Sequence, residues 1–292
     1  MYKLKNSYVD RMIENKTSKA EIAFLLYISR MQDTSGIVHS VYYKDVCKAI
    51  SCSTQKFYDI LVSLSKKGLI SYEKIYNVDI SVRLLGNDFS DENFSDGYIN
   101  VAKKDFGSDR FKGMLAGSQL LYLYTQRFVE GKHMLVQNFY DEFCRLFHVA
   151  KKTMQIYLQE LKDRALLFIN KKRNRAYRYE MMMKRSSCLD IKDLTKIPRE
   201  KEGYLNNIQD HVQRNFGRFL QDGDQGKIAL QDIANLADTQ RAEKNDNFVR
   251  RIVDAIKESI NIQKCEKRKQ ITLNAALVNR CLTGRIKANP AI

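Results

Sequence analysis

Proline is almost missing from this chain: there are 2 in 292 residues, and both, Pro198 and Pro290, come late. Glycine is modest at 13, so helix breakers and low-complexity linkers are scarce and the chain reads as helix-rich. No stretch approaches the ~20 apolar residues that a membrane-spanning helix needs. The opening residues MYKLKNSYVDRMIENK lack the apolar core of a secretory signal, so a cytoplasmic location is expected. Six cysteines at irregular spacing suit a reducing compartment better than a disulfide framework.

Motifs that carry chemistry are equally scarce. Gly131-Lys132-His133 and Gly226-Lys227-Ile228 lack the upstream glycine and the following Ser/Thr of a phosphate-binding loop. His39, His133, His148 and His211 are scattered and form no His-x-His pair of the kind that metal-dependent nickases use. His211-Val212-Gln213-Arg214 matches the H-x-x-R fragment of tyrosine recombinases, but no tyrosine nucleophile follows it. Asp222-Gly223-Asp224-Gln225-Gly226 has lysine where a calcium loop needs its sixth-position glycine, and reads as a turn between helices. Cys47 and Cys52 have no second pair with which to hold zinc. We expect no catalytic residue, no metal and no cofactor.

What is present is a duplication. Shifted by 97 positions, residues 20–72 lie on residues 117–169 without a gap. Leu26, Tyr27 and Arg30 fall on Leu123, Tyr124 and Arg127, and Tyr43 and Cys47 fall on Tyr140 and Cys144. Leu61, Leu64 and Leu69 fall on Leu158, Leu161 and Leu166. Only 8 of 53 positions are identical, yet the apolar rhythm persists, with Phe57 on Met154, Val46 on Phe143 and Ile50 on Phe147. A fixed period with matching core positions marks a repeated structural unit. Two copies are too few for a solenoid, so two similar domains in tandem are expected.

Charge separates the two copies. The formal net charge is +16. Residues 1–97 contribute +1, residues 98–200 contribute +10 and residues 201–292 contribute +5. An excess concentrated on the second repeat points to a local surface for a polyanion.

Within the first repeat, residues 19–31 read as a buried helix and residues 42–50 as a short second helix with Tyr43, Val46, Cys47 and Ile50 on one face. A break at Ser51-Cys52-Ser53 offers N-caps to a third helix, whose Phe57, Leu61 and Leu64 face the core. Gly68 ends that helix. Residues 69–76 and 78–85 then pair as a hairpin turning near Asn77.

The stretch CKAISCSTQKFYDILVSLSKKGLISYEK resembles the winged helix-turn-helix superfamily, and NFYDEFCRLFHVAKKTMQIYLQELKDRALLFINKKRNRAYRYEM repeats it, departing at Ala165, where the pattern has glycine. The resemblance covers about residues 8–85 and 105–182. It implies a mainly α fold with small β-hairpin wings, in two domains over residues 1–97 and 98–185; a polar composition over 186–203 reads as a linker, and residues 204–292 read as an α-helical segment. In that superfamily the third helix enters the DNA major groove. The resemblance therefore assigns base-edge contacts to Ser53, Thr54, Gln55, Lys56 and Tyr58 in the first repeat, and to Ala150, Lys151, Lys152, Thr153 and Gln155 in the second. Gln suits adenine, Lys suits guanine and Thr suits the thymine methyl. Lys171, Lys172, Arg173, Asn174, Arg175 and Arg178 read as the arginine-rich tip of a second wing, able to follow the backbone or enter a narrow minor groove.

The last segment reads as helices at about 204–220, 227–241, 246–264 and 272–286. Its basic residues Arg250, Arg251, Lys264, Lys267, Arg268 and Lys269 suit flanking DNA or a solvated face. A host replication or transcription protein, or a second copy of the chain, are its other expected partners; a membrane is not. Two linked, diverged heads with an accessory segment resemble the layout of plasmid replication initiators. The alternatives are a winged-helix transcriptional regulator and a protein-interaction scaffold.

Overall fold

A computed structural model describes residues 3–76, 79–90, 96–101, 103–128, 134–136, 139–164, 166–173, 177–183, 199–242, 248–266 and 270–284. The chain is mainly helical with small antiparallel sheets. The first segment runs β1 (Lys3–Lys5), α1 (Asn6–Glu14), α2 (Lys19–Ile28), β2 (Ile37–Tyr42), α3 (Tyr43–Ile50), α4 (Thr54–Lys66), β3 (Ile70–Tyr76) and β4 (Asp79–Leu84). The second runs β5 (Tyr98–Asn100), α5 (Lys103–Phe106), α6 (Asp109–Lys112), α7 (Ala116–Thr125), β6 (Met134–Val136), α8 (Phe139–Phe147), α9 (Lys151–Asp163), β7 (Leu167–Arg173) and β8 (Tyr177–Met183). The third comprises α10 (Arg199–Phe216), α11 (Asp224–Ala242), α12 (Phe248–Cys265) and α13 (Ala275–Leu282). Residues 199–203, expected to belong to a linker, thus form the start of α10.

The 97-residue shift carries α2 onto α7, α4 onto α9 and β3 onto β7 with identical bounds. Both repeats also place a short strand between their first two helices, β2 and β6, that the apolar pattern does not disclose. Each of these strands pairs with the last strand of its own hairpin, so the sheets have the same order, β2-β4-β3 and β6-β8-β7. The physical reason for the miss is local. Ile37–Tyr42 is buried throughout its first five residues, and a short run buried on both faces shows no period-two alternation.

The joint between the first and third helices is built differently in the two repeats. In the first, Ser18 caps α2, and Glu21 accepts from the Ser18 amide at 2.6 Å, the Ser63 hydroxyl at 2.6 Å and Lys67 Nζ at 2.7 Å. Burial opposes the Glu21 charge, but these donors hold its carboxyl below the usual range. At the matching positions of the second repeat stand Leu115, Ser118, Glu160 and Arg164. There the carboxylate lies on α9 instead: Glu160 accepts from the Leu115 amide at 3.0 Å and from Arg164 at 3.4 Å. The charge has changed helices while the joint has been kept.

Equivalent elements also meet across the repeats. β1 and β5, which open the two units, pair antiparallel in register from Lys3↔Asn100 to Lys5↔Tyr98, and α2 packs on its counterpart α7. Arg127 bridges to α1 through Asp10 at 2.5 and 3.2 Å. The buried apolar residues from Leu4 to Leu166 accordingly form one continuous core rather than two. A second core, from Tyr204 to Val278, belongs to α10–α13.

Candidate nucleic-acid interface

The turn before the third helix has the same geometry in both repeats. Ser51 and His148, at matching positions, both take left-handed backbone, with φ of 55° and 49°. The residues that follow, Cys52 and Val149, donate their amides to Cys47 and Cys144, each at 3.1 Å. This pattern closes one helix and redirects the chain into the next. Ser53 then caps α4, its hydroxyl accepting from the Lys56 amide at 3.2 Å. Ala150 begins α9 without a side-chain cap.

Phe57, Ile60, Leu61 and Leu64 bury one face of α4, as Met154, Leu158 and Leu161 bury one face of α9. Opposite them, Thr54, Gln55, Lys56 and Tyr58 are exposed on α4, and Lys151, Lys152 and Gln155 on α9; Thr153 is half-buried. The exposed faces have diverged. Gln55 donates to Asp59 at 2.9 Å, and Tyr58 and Val62 stand 42% and 43% exposed. The second repeat carries Lys152, Ile156, Gln155 and Gln159 at those four positions. Val62, Ile156, Gln159 and Lys162 complete the exposed stripes; the i, i+4 spacing from Tyr58 and from Gln155 would have pointed to Val62 and Gln159. Lys151 lies 2.6 Å from Asp141 of α8, both well exposed, an ion pair that water screens strongly.

Lys171, Lys172 and Arg173 lie on β7 and Arg178 on β8, with Lys172 opposite Arg178 in the ladder. Asn174 and Arg175 fall outside the described residues. The alternation read from sequence thus corresponds to an antiparallel hairpin, with this basic run at the end where its two strands are connected.

The first repeat's sheet is covered in a way that local sequence does not signal. Asn207 of α10 accepts from the Ser40 amide at 3.1 Å and donates to the Ser40 carbonyl at 2.6 Å, satisfying the outer edge of β2 at the irregularity between Val38 and Val41. Arg214 and Asn215 donate to Asp79 at 2.6 and 2.8 Å, the Ser40 hydroxyl donates to it at 2.7 Å, and His211 Nδ1 lies 3.5 Å away. His39 packs edge-on against Phe248 and Tyr204, and Ile75 of β3 packs against the third segment's core. The H-x-x-R fragment is therefore a docking element, with both ends aimed at one carboxylate. In the second hairpin the ladder puts Tyr177 and Arg178 where the first has Asp79, so no carboxylate stands at that place on β8.

Between α10 and the α2–α3 face lies an open groove of about 720 Å³, lined by Tyr27, Tyr42, Asp45, Lys48, Asp210 and Arg214 among others. Its charges are mixed in sign, and Arg214 stacks 4.6 Å above the Tyr42 ring. No helix among the described residues is long and apolar enough to cross a membrane. Comparison with protein-family models, curated proteins and solved structures found no match for this chain.

Proposed function

We propose that this chain is a sequence-specific double-stranded DNA-binding protein whose two repeats are winged helix-turn-helix heads, and that it acts as a replication initiator and autoregulator of a plasmid or mobile element. The observation that carries this reading is the same order, helix–strand–helix–turn–helix–hairpin, with the same three-stranded sheet and an exposed polar third helix, in two units 97 residues apart. The chemistry is binding, not catalysis. Phosphate contacts fix position and helix side chains read base edges.

The two heads divide the work. The second presents α9 and a basic hairpin and lies in the segment carrying +10, so it supplies most of the affinity. The first presents α4, but its sheet is engaged by α10 at Asp79 and by the third core at Ile75. It therefore reads with its helix, where Gln55 and Tyr58 face outward, and contributes register and selectivity. A shared core fixes the spacing between heads, which supports an asymmetric or directly repeated site rather than a palindrome read by a dimer.

Footprinting on the DNA flanking the chain's own gene tests this. The expected result is protection of direct repeats, each longer than one helical turn of about 34–36 Å, at protein concentrations where the chain is monomeric. Protection of a palindrome in a divergent promoter, with dimer stoichiometry, would assign the chain to transcriptional regulation instead. No sequence preference over random duplex would sink the DNA-reading assignment.

A further inference from the structure

We propose that Cys47 and Cys52 form a modification site, a dithiol that a hydroperoxide closes to a reversible disulfide across the turn leading into α4. The two sulfurs lie 3.8 Å apart, and both residues are half-buried. Their approach follows from the turn itself. With Ser51 left-handed and the Cys52 amide bonded to the Cys47 carbonyl, the side chains flanking the helix end are brought into contact. The second repeat makes the same turn with Cys144 and Val149, so an apolar contact is all that the geometry requires. The second thiol of the first repeat exceeds that requirement.

A disulfide needs sulfurs about 2.05 Å apart. From 3.8 Å this is reached by side-chain rotation and a small backbone shift. The reaction balances with one peroxide. One thiol takes an oxygen as the O–O bond breaks, releasing alcohol or water and giving a sulfenic acid. The second sulfur then displaces water from it to form the S–S bond. The two sulfurs together lose two electrons and two protons to the peroxide. Burial, with Cys47 adjacent, pushes the Cys52 thiol up to about 11, which makes this a slow site that answers sustained oxidant.

The consequence for DNA rests on the reading of α4 as a base-reading helix. Drawing Cys52 towards α3 displaces Ser53 and Thr54 at the start of α4, and contact with the first half of the site is expected to weaken about tenfold or more.

The test treats the full chain with hydrogen peroxide, blocks free thiols and digests with trypsin. Lys44, Lys48 and Lys56 place Cys47 and Cys52 on separate peptides, residues 45–48 and 49–56. A linked pair lighter by two hydrogens, abolished by dithiothreitol and missing from Cys52→Val, is the expected result. Sulfinic acids, or links to Cys144, Cys188, Cys265 or Cys281 in its place, would overturn the proposal. DNA affinity measured on the same samples separates the two ideas. A linked pair with unchanged affinity keeps the dithiol and counts against α4 as a reading helix. Loss of affinity in Cys52→Val as well as wild type would place the effect outside this pair.

Discussion

At Asp79, donors from α10 and from β2 converge on one carboxylate that is fully removed from solvent. Burial alone would raise its pKa, but hydrogen bonds from His211, Arg214, Asn215 and Ser40 together outweigh burial and hold it well below the usual carboxylate range. A depressed folded-state pKa means that the stabilisation is complete above the unfolded value of ~3.9 and disappears only as pH falls through the lower folded one. Docking of the third segment should therefore withstand mildly acidic buffer. Asp79→Ala leaves Arg214 facing a buried gap and should cost about 3–5 kcal/mol, read as a lower denaturation midpoint together with faster hydrogen exchange in β2 and α10. Unchanged exchange there would show that the apolar contacts of His39, Ile75 and Phe248 dock the segment without the ionic anchor. On the second repeat, Gln155→Ala or Lys152→Ala should relax base preference by roughly 1–3 kcal/mol at one or two positions. Recovery of an unaltered motif from random duplexes would reject α9 as the reading helix.

Between elements, the repeats preserve a joint while exchanging its parts. Glu21 on α2 and Glu160 on α9 serve the same amide at the start of the first helix, from opposite sides of the contact. Glu160→Ala should thus destabilise the second repeat by about 1 kcal/mol, as removal of a cap does, measured by urea denaturation of the full chain. Introducing glutamate at Ser118 in that background should recover part of the stability, because position 118 corresponds to Glu21. No recovery would mean that the Leu115 amide is satisfied another way. The basic hairpin has a different role. Replacing Lys171, Lys172, Arg173 and Arg175 with alanine should weaken binding to every duplex and flatten its salt dependence, at about 0.9 in log K against log salt for each phosphate no longer neutralised. An unchanged slope would remove the hairpin from the interface.

For the whole molecule, the shared core constrains which parts can stand alone. Leu4, Tyr8 and Met12 belong to the same buried cluster as Leu120, Leu123 and Leu158. A truncated chain starting at residue 98 would expose the faces of α7 and α8 that α1 and α2 now cover. It should melt without a cooperative transition in circular dichroism, while the full chain melts cooperatively; a sharp transition in the fragment would show that each repeat is self-sufficient. The DNA contacts proposed for the first repeat are thus better probed by substitutions on α4 than by deletion.

The duplication, the third helices with their exposed polar starts, the hairpins and the late helical segment were all legible in sequence, because each is written in local periodicity and in the 97-residue offset. A serine cap for α4, at Ser51 or Ser53, and the basic run on β7 could be read from residue type and spacing; the structure selects Ser53. The short strands β2 and β6 could not, since burial on both faces, or a length of three residues, leaves no alternation to detect. Nor could the joining of the two repeats into one core, or the docking of α10 on Ser40 and Asp79. Those depend on pairs such as Asn207 with Ser40, 167 positions apart, and no local pattern records a partner that far along the chain. The sequence by itself determined two copies of one unit and put the charge on the second. Tertiary structure decided that the first copy, with its acid at position 79, holds the third segment, because there a buried carboxylate and the amide and carbonyl of a strand edge find their partners on α10.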